Sequence, residues 1–268
     1  MSVIPLCKGT HFHQPIVLFL PTVGISWHTE DWYSTWFNTR YYHLLYGNRN
    51  AEEAYLCVHH LVDYLKLPKG SRVLDAGCGK GRHAGAFAAE GMHITGIDLS
   101  AANIQSALET YPDIDFYVHD MRRLFRVNYF DAIVNLYTSF GYFQHPADDQ
   151  RTITAFANGL QRGGTLVIDF LNSYKVMQSL DDIHVTVEDV HFTISKRIEN
   201  GFLFKHIEIV DADKHYTFTE RIRILYQEDF IHLFRKAGLT EVDVFGNYTL
   251  STFDKHASDR LILVARKS

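Results

Sequence analysis

From about residue 50 onward, apolar and polar positions follow the two periods of regular secondary structure. Ala54, Val58, Leu61 and Leu65 recur at helical spacing, and Pro68 ends that helix. Short apolar segments and further helical stripes then alternate. The pattern predicts strands over 72–76, 93–97, 115–119, 130–136 and 165–171, and helices over 82–90, 102–110 and 149–160. Such alternation indicates a doubly wound, mostly parallel sheet flanked by helices.

The period changes between residues 184 and 225. Apolar and polar residues alternate there as in antiparallel strands, and Asn200-Gly201 is typical of a tight hairpin turn. This segment predicts a small β insertion of three or four strands. A helix over 227–237 and strands over 241–245 and 261–265 follow it.

The N-terminal part of the chain differs from the rest. Residues 1–29 mix Pro, Gly and His without any period, so we expect a variable or disordered extension. The next segment is densely aromatic, with Trp32, Tyr33, Trp36, Phe37, Tyr41, Tyr42 and Tyr46.

Composition narrows the function classes. The 268 residues are 46% hydrophobic and carry a net charge of −5, whereas a nucleic-acid-binding protein usually has a basic surplus. The three cysteines lack the spacing of a disulfide framework or a zinc site, which fits a reducing cytoplasm. No apolar run approaches the ~20 residues that a membrane span needs. We therefore expect no nucleic-acid partner, no membrane partner and no metal.

A glycine-rich turn carries the main chemical signal. The sequence VLDAGCGKGR over residues 73–82 runs from an apolar strand through Gly77, Gly79 and Gly81 into a helix. Glycines let a backbone approach a ligand closely, although a simple tight turn has the same pattern.

Carboxylates at the ends of three successive strands make that signal more specific. Asp75 precedes the glycines, where it would repel a pyrophosphate but could hold the ammonium of S-adenosylmethionine (SAM). Asp98 ends the second strand, where an acid can accept both ribose hydroxyls. Asp120 ends the third, where it can accept the adenine amino group while the next backbone N–H reaches the ring. Arg82 stands where a dinucleotide motif needs glycine, which disfavours a nicotinamide dehydrogenase.

The chain resembles a class I SAM-dependent methyltransferase. The resemblance rests on LDAGCGKGRH (74–83), GIDLS (96–100), HDMR (119–122), NLYTSFGYF (135–143) and the late DRLIL (259–263). These motifs are similar to those of a bacterial, Bacteroidetes-like subgroup acting on small molecules, over roughly residues 30–267. The resemblance implies a Rossmann-like seven-stranded sheet whose last strand is antiparallel. It also implies a SAM-binding domain over 69–172 and 226–268.

Two further parts follow from the resemblance. Residues 30–68 would form a helical lid, and the insertion over 173–225 would cover the substrate or form a homodimer face. The resemblance also implies the cofactor-binding residues, namely Asp75, Gly77, Cys78, Gly79, Asp98, Leu99, Asp120, Met121, Asn135, Leu136, Tyr42, Tyr46 and Arg49. For the last three, simple helix packing is an open alternative.

The acceptor side is less specific. We expect a cytoplasmic enzyme that methylates a small molecule at N or O; the alternative is a catalytically weak sensor that binds SAM or its demethylated product SAH. A catalytic base is needed only for some acceptors, with Tyr137, Tyr142, His145 and His206 as candidates. Tyr137, Phe140, Asn172 and Arg221 are candidate substrate contacts, although Arg221 and Arg223 also fit a solvated strand face. The Asx-Pro-Pro-aromatic motif of adenine-methylating enzymes is absent after the fourth strand.

Overall fold

The computed structural model describes residues 32–47 and 51–268. The extension over 1–29 and Arg49 lie outside the described residues. The helices are α1 (Trp32–Phe37), α2 (Arg40–Leu45), α3 (Ala51–Leu65), α4 (Arg82–Ala89), α5 (Ala101–Thr110), α6 (Pro146–Gly159), α7 (Ser173–Gln178) and α8 (Gln227–Lys236). The strands are β1 (Arg72–Ala76), β2 (His93–Asp98), β3 (Asp115–Val118), β4 (Phe130–Asn135), β5 (Leu160–Leu171), β6 (Ile183–Val187), β7 (Val190–Glu199), β8 (Phe202–Asp211), β9 (Lys214–Arg223), β10 (Leu239–Phe245) and β11 (Arg260–Lys267).

The larger sheet has seven strands within the described residues, in the order β10-β11-β5-β4-β1-β2-β3. The pairs β5–β4, β4–β1, β1–β2 and β2–β3 are parallel, whereas β11 is antiparallel to both β10 and β5. The central strands β1 and β4 are almost wholly buried because both of their faces are covered by helices. The expected mostly parallel sheet with an antiparallel last strand is confirmed.

Each face of this sheet has its own hydrophobic core. On one face α3, α4 and α5 contribute Val58, Leu61 and Phe87 among others. On the other face α6 and α8 contribute Phe156 and Phe230. These apolar residues recur at three- and four-residue spacing along their helices, so one stripe of each helix faces the sheet.

The predicted insertion forms a second, antiparallel sheet in the order β6-β7-β8-β9. Its β7–β8 hairpin turns at Asn200 and Gly201, both with positive φ as a tight hairpin turn requires. A buried ion pair joins it to the larger domain, with Arg223 Nε of β9 at 2.8 Å from Asp149 Oδ2 of α6.

The segment expected to form one helical lid divides into two parts. In α1 and α2, Trp36 and Tyr41 pack against Phe192 and Ile207 of the antiparallel sheet. In contrast, α3 packs its apolar stripe, including Val58, into the core of the larger sheet. Only the part over 32–47 therefore belongs with the insertion, and its action as a lid stays a prediction.

One strand boundary and one helix also differ from the sequence prediction. The strand β5 begins at Leu160 and continues through Gly163 and Gly164, where the sequence predicted a break. The short helix α7 was not predicted, and Asn172 caps it by accepting from the backbone N–H of Tyr174.

Candidate active site

A pocket opens at the carboxyl ends of β1, β2, β3 and β4, where ligands of open α/β sheets usually bind. Its volume is about 370 Å³, within the range of small-molecule sites. It is lined by Phe37, Tyr42, His43, Tyr46, Gly47, Gly77, Cys78, Gly79, Lys80, Arg82, His83, Asp98, Leu99, Ser100, Asn103, His119, Asp120, Met121, Leu136, Tyr137, Thr138, Ser139, Tyr142 and Phe143.

The glycine turn forms the floor of this pocket. The backbone N–H groups of Gly77 and Cys78 donate to Ile97 O at 2.7 and 3.0 Å, which holds the turn against the end of β2. Gly77 has φ +79°, and a Cβ added there would lie 2.7 Å from Ser139 Cβ. A Cβ at Gly79, with φ +55°, would meet nothing within 4 Å. The backbone of Gly79 therefore faces open space with no side chain over it, so a ligand can approach it closely.

Asp98 is fixed at the edge of the floor. Its carboxylate accepts from the backbone N–H of Gly79 at 2.9 Å and of Ser100 at 2.8 Å. Burial raises the pKa of this carboxyl despite those hydrogen bonds. The next side chain, Leu99, is 43% exposed although it is apolar. A carboxylate with free lone pairs beside exposed apolar surface fits a ribose and an adenine ring.

Asp75 supports the turn and does not line the pocket. Its side chain is 1% exposed and accepts from the backbone N–H of Ala84 in α4. Oδ2 has no hydrogen-bond partner among the described residues. Burial, together with the charge of Asp98, raises the pKa of Asp75 to about 7. Asn135 has a similar place, because its Nδ2 donates to Ala76 O at 2.7 Å while its Oδ1 is unpaired in the described structure.

Asp120 and Met121 line the pocket as predicted, and Arg122 holds the carboxylate in place. Arg122 Nη2 and Nε donate to Asp120 at 2.7 and 3.0 Å. Burial alone would raise the pKa of Asp120, but the hydrogen bonds and charge of Arg122 outweigh it and lower the pKa. The carboxylate is therefore ionised and oriented at neutral pH.

The segment Leu136–Ser139, which we term the β4 loop, forms one wall. The Arg82 guanidinium lies over the Tyr137 ring, 4.1 Å from its centroid. Burial, followed by a hydrogen bond to Glu53, raises the pKa of the Tyr137 hydroxyl. A hydroxyl that stays protonated at neutral pH can donate a hydrogen bond but is a poor base.

The opposite wall, which we term the roof, is formed by Phe37, Tyr42, His43, Tyr46 and Gly47. The segment that carries the roof is tied to the start of α5, since Ser100 Oγ donates to Asn38 Oδ1 at 2.5 Å. Burial, and then the charge of Lys80, lowers the pKa of His43, so this imidazole is neutral at pH 7.

The structure places both predicted histidine bases away from the pocket. His145 precedes α6 as an exposed N-terminal cap residue. His206 lies on β8, where its Nε2 is 3.5 Å from Glu208 Oε1. Neither side chain lines the pocket. Tyr137 and Tyr142 do line it.

Three predicted substrate contacts also lie elsewhere. Phe140 is fully buried and packs against Phe230 of α8, because the chain turns inward after Ser139. Asn172 is buried and donates to Lys255 O and Ser258 O at 3.0 and 2.8 Å. The guanidinium of Arg221 lies over the Phe202 ring on the antiparallel sheet.

Sequence reasoning missed several lining residues, among them Phe37, His43, Ser100 and Thr138. Ser100 had a detectable signal, since a serine just before a helical stripe is a typical helix cap, and Ser100 caps α5. His43 had none, because its place depends on how α2 sits on a distant sheet.

No helix within residues 32–47 and 51–268 combines the length and apolar character of a membrane span. No group of three or more His, Cys, Asp or Glu residues is placed to hold a metal ion in those ranges.

Comparison with known proteins agrees with this geometry. Residues 73–164, which span the glycine turn and all three strand-end carboxylates, match a family model described as "Methyltransferase domain". The chain is 25% identical over 186 residues to the dTDP-3-amino-3,4,6-trideoxy-alpha-D-glucopyranose N,N-dimethyltransferase of Streptomyces venezuelae. That match covers 65% of this chain and 77% of the relative.

Two solved structures share the fold. An S-adenosylmethionine-dependent methyltransferase from Clostridium acetobutylicum superposes with a TM-score of 0.74 at 18% identity, over 85% of this chain and 96% of that one. SAM-bound CalS10, an amino pentose methyltransferase from Micromonospora echinaspora, superposes with a TM-score of 0.68 at 20% identity, over 86% and 98%. The family match places a methyltransferase domain over residues 73–164, and the named relatives together with the shared sheet order support a SAM-dependent methyltransferase enzyme.

Proposed function

We propose that this enzyme transfers the methyl group of SAM to a nitrogen atom of a small-molecule acceptor, with an amino sugar as the first class to test. The observation that carries the proposal is a pocket of about 370 Å³ that the glycine turn and the aromatic roof share. A pocket of this size, bounded on the acceptor side by Phe37, Tyr42, Tyr46 and Tyr142, suits a small acceptor. The Streptomyces relative, named for an amino-sugar substrate, supports the choice of class.

The chemistry of the pocket walls favours nitrogen over oxygen. Bound SAM supplies an electrophilic methyl group on a positively charged sulfonium. An attacking amine becomes an ammonium, so positive charge is present beside the reacting atoms throughout. Aromatic faces attract such cations, and aromatic residues make up most of the roof. An amine needs no strong base, which agrees with the displacement of His145 and His206 from the pocket.

The residues of the chain then have distinct tasks. Asp98 and Leu99 hold the ribose and adenine side, while Asp120 and Met121 face the adenine edge. The bare backbone at Gly79 allows close approach of the cofactor. The roof and the β4 loop align the acceptor and exclude water, which is the main contribution that a methyltransferase makes to an in-line displacement.

The alternative of a catalytically weak SAM-binding sensor is not favoured, since the relatives carry methyltransferase names. Three finer statements stay predictions of the sequence: the Bacteroidetes-like subgroup, the homodimer and the cytoplasmic location.

The test is transfer of radiolabelled methyl from SAM to a matched acceptor panel. The panel pairs dTDP-amino sugars with the same sugars carrying a hydroxyl in place of the amine, and adds duplex DNA and RNA. We expect label on the amines, and far less on the hydroxyl analogues. Asp98→Ala should abolish SAM binding in calorimetry, whereas Asp113→Ala, on an exposed turn, should bind normally. Labelling of nucleic acid, or of hydroxyl analogues in preference to amines, would contradict the proposal.

A further inference from the structure

Asp169 and Arg260 form a buried ion pair that the proposed chemistry does not use. Asp169 lies near the end of β5 with no exposed surface, and Arg260 begins the neighbouring strand β11. Arg260 Nε donates to Asp169 Oδ1 at 2.7 Å. Burying two charges is costly unless hydrogen bonds satisfy the remaining atoms, so the other contacts of this pair are informative.

Most of those contacts go to the β4 loop. The backbone N–H of Tyr137 donates to Asp169 Oδ2 at 2.8 Å, and that of Thr138 donates to Asp169 O at 2.9 Å. Arg260 Nη2 donates to Thr138 Oγ1 at 2.9 Å. Tyr248 Oη completes the set by donating to Asp169 Oδ2 at 3.1 Å. The carboxylate of Asp169 therefore holds Tyr137, and the guanidinium of Arg260 holds Thr138, the next residue of the loop.

These two loop residues have an unusual backbone. Tyr137 and Thr138 have φ of +58° and +61°, in the left-handed region that disfavours side chains with a Cβ. Thr138 is β-branched, which makes the conformation still less favourable for it. Residues stay in such conformations only where the surroundings determine them. The hydrogen bonds that Asp169 accepts from this loop and that Arg260 donates to it are the contacts that do so here.

The held conformation sets one wall of the pocket against the cofactor floor. Tyr248 stacks on Tyr137 with centroids 5.3 Å apart and planes at 18°, so the ring is also fixed from outside the pocket. The next residue, Ser139, donates from Oγ to Gly77 O at 3.3 Å. A change in the backbone at Thr138 would therefore move the wall relative to Gly77.

We propose that Asp169 and Arg260 are positioning residues for methyl transfer, because they hold Tyr137 and Thr138 left-handed and so align the pocket wall with the glycine turn. The kinetic part of this inference rests on the proposed function. A displacement of about 1 Å in a reacting assembly can cost about 10²-fold in rate. We expect the effect on kcat and not on SAM affinity, because Asp98 and Leu99 lie on a separate strand end.

A matched pair of substitutions at Thr138 separates backbone geometry from the loss of one hydroxyl. Thr138→Asn and Thr138→Val both remove the threonine hydroxyl, but asparagine tolerates the left-handed region and valine does not. We expect the loss of kcat to be at least about tenfold larger in Thr138→Val than in Thr138→Asn. The loss in Thr138→Val should approach the roughly 10²-fold cost of a misaligned site. Equal losses in the two variants would overturn the proposal.

Asp169→Asn tests the ion pair itself, with a measurement that needs no acceptor. In protein labelled with ¹³C-threonine, the Cα shift of Thr138, assigned through Thr138→Ser, reports its backbone conformation. We expect Asp169→Asn to move this signal away from its left-handed position and to lower kcat, and the double variant with Thr138→Asn to recover part of kcat. The control is Glu241→Gln on β10, which removes the acid partner of Arg266, an exposed residue of β11; it should change neither the Thr138 signal nor kcat.

The outcomes distinguish this proposal from the function it rests on. If the folded Asp169→Asn variant keeps both the Thr138 signal and kcat of the wild type, the positioning role of the ion pair is overturned. If Asp169→Asn does not fold, the Thr138 pair decides the matter alone. If the wild type methylates no acceptor, the proposed function fails, while the Thr138 signal still decides whether the ion pair sets the loop.

Discussion

Tyr46, in the roof of the pocket, donates a hydrogen bond from its hydroxyl to Glu220 Oε1 at 3.0 Å, 174 residues later in the chain. Glu220 lies on β9 and is buried, where it also accepts from Trp36 Nε1 at 2.8 Å and pairs with Lys205 Nζ at 3.1 Å. One carboxylate thus fastens the roof to the antiparallel sheet. The antiparallel sheet therefore supports the roof from outside the pocket, since none of its strands lines the pocket.

Removal of the Glu220 carboxylate should loosen the roof. We expect Glu220→Ala to destabilise the fold by roughly 1–3 kcal/mol, the cost of leaving buried polar partners unsatisfied, and to raise the KM for the acceptor. Urea unfolding and steady-state kinetics measure the two effects. Glu208→Ala, on an exposed position of the neighbouring strand, is the control and should stay within about 0.5 kcal/mol. Equal effects of the two substitutions would contradict the role of Glu220.

The Glu220 contribution should also depend on pH. Burial acts to raise its pKa, but Lys205 and the hydrogen bonds from Trp36 and Tyr46 outweigh burial and lower it. A lowered carboxyl pKa stabilises the folded state at neutral pH, and this stability is lost as the pH falls through the folded-state value. Glu220→Gln should therefore lose stability relative to wild type at pH 7 and converge with it in acid, measured by urea unfolding across pH.

Asp75 should show the opposite pH dependence. Its pKa is raised from 3.8 to about 7 by burial and by Asp98, so the neutral form is favoured in the folded state. The stability that Asp75 contributes is complete below about pH 4 and falls as the pH rises through about 7, by up to about 1.4 kcal/mol for each unit of pKa difference. Asp75→Asn, which stays neutral, should gain stability relative to wild type between pH 5 and pH 8. A constant difference across that range would contradict the raised pKa.

Gly77 and Gly79 should respond differently to alanine. At Gly77 the new Cβ would lie 2.7 Å from Ser139 Cβ in a left-handed conformation, so Gly77→Ala should lower Tm and SAM affinity together. At Gly79 nothing lies within 4 Å, so Gly79→Ala should cost only about 1 kcal/mol of backbone strain while its methyl group obstructs the cofactor. Thermal unfolding and SAM titration separate the two. Normal SAM binding by Gly79→Ala would contradict its place in the cofactor floor.

The displaced histidines give a direct kinetic check. His145→Ala and His206→Ala should leave kcat/KM for the best acceptor unchanged, because neither side chain lines the pocket. Loss of a general base typically costs about 10²–10⁴-fold. A loss of that size in either variant, with normal SAM binding, would show that the acceptor reaches beyond the described pocket.

Sequence alone determined most elements of the larger sheet and several residues that line the pocket at its carboxyl edge. The strands β1, β2 and β4 and the helices α4 and α5 lie within one or two residues of their predicted bounds, because period and local propensity specify such elements. Asp98, Leu99, Asp120 and Met121 line the pocket as expected. They could be identified because parallel strands bring their carboxyl ends to one edge of the sheet, so a position along a strand fixes a position in space.

Only the tertiary structure decided the acceptor side. Whether Tyr137 or Phe140 faces the pocket depends on a left-handed turn held by two distant residues. Asp169 lies 32 positions after Tyr137, and Arg260 lies 122 positions after Thr138. His43 and Tyr46 reach the pocket because α2 rests on an antiparallel sheet formed more than a hundred residues later. The local sequence pattern shows which face of an element is apolar. Long-range packing then decides which element covers that face, and which polar side chains remain exposed to a substrate.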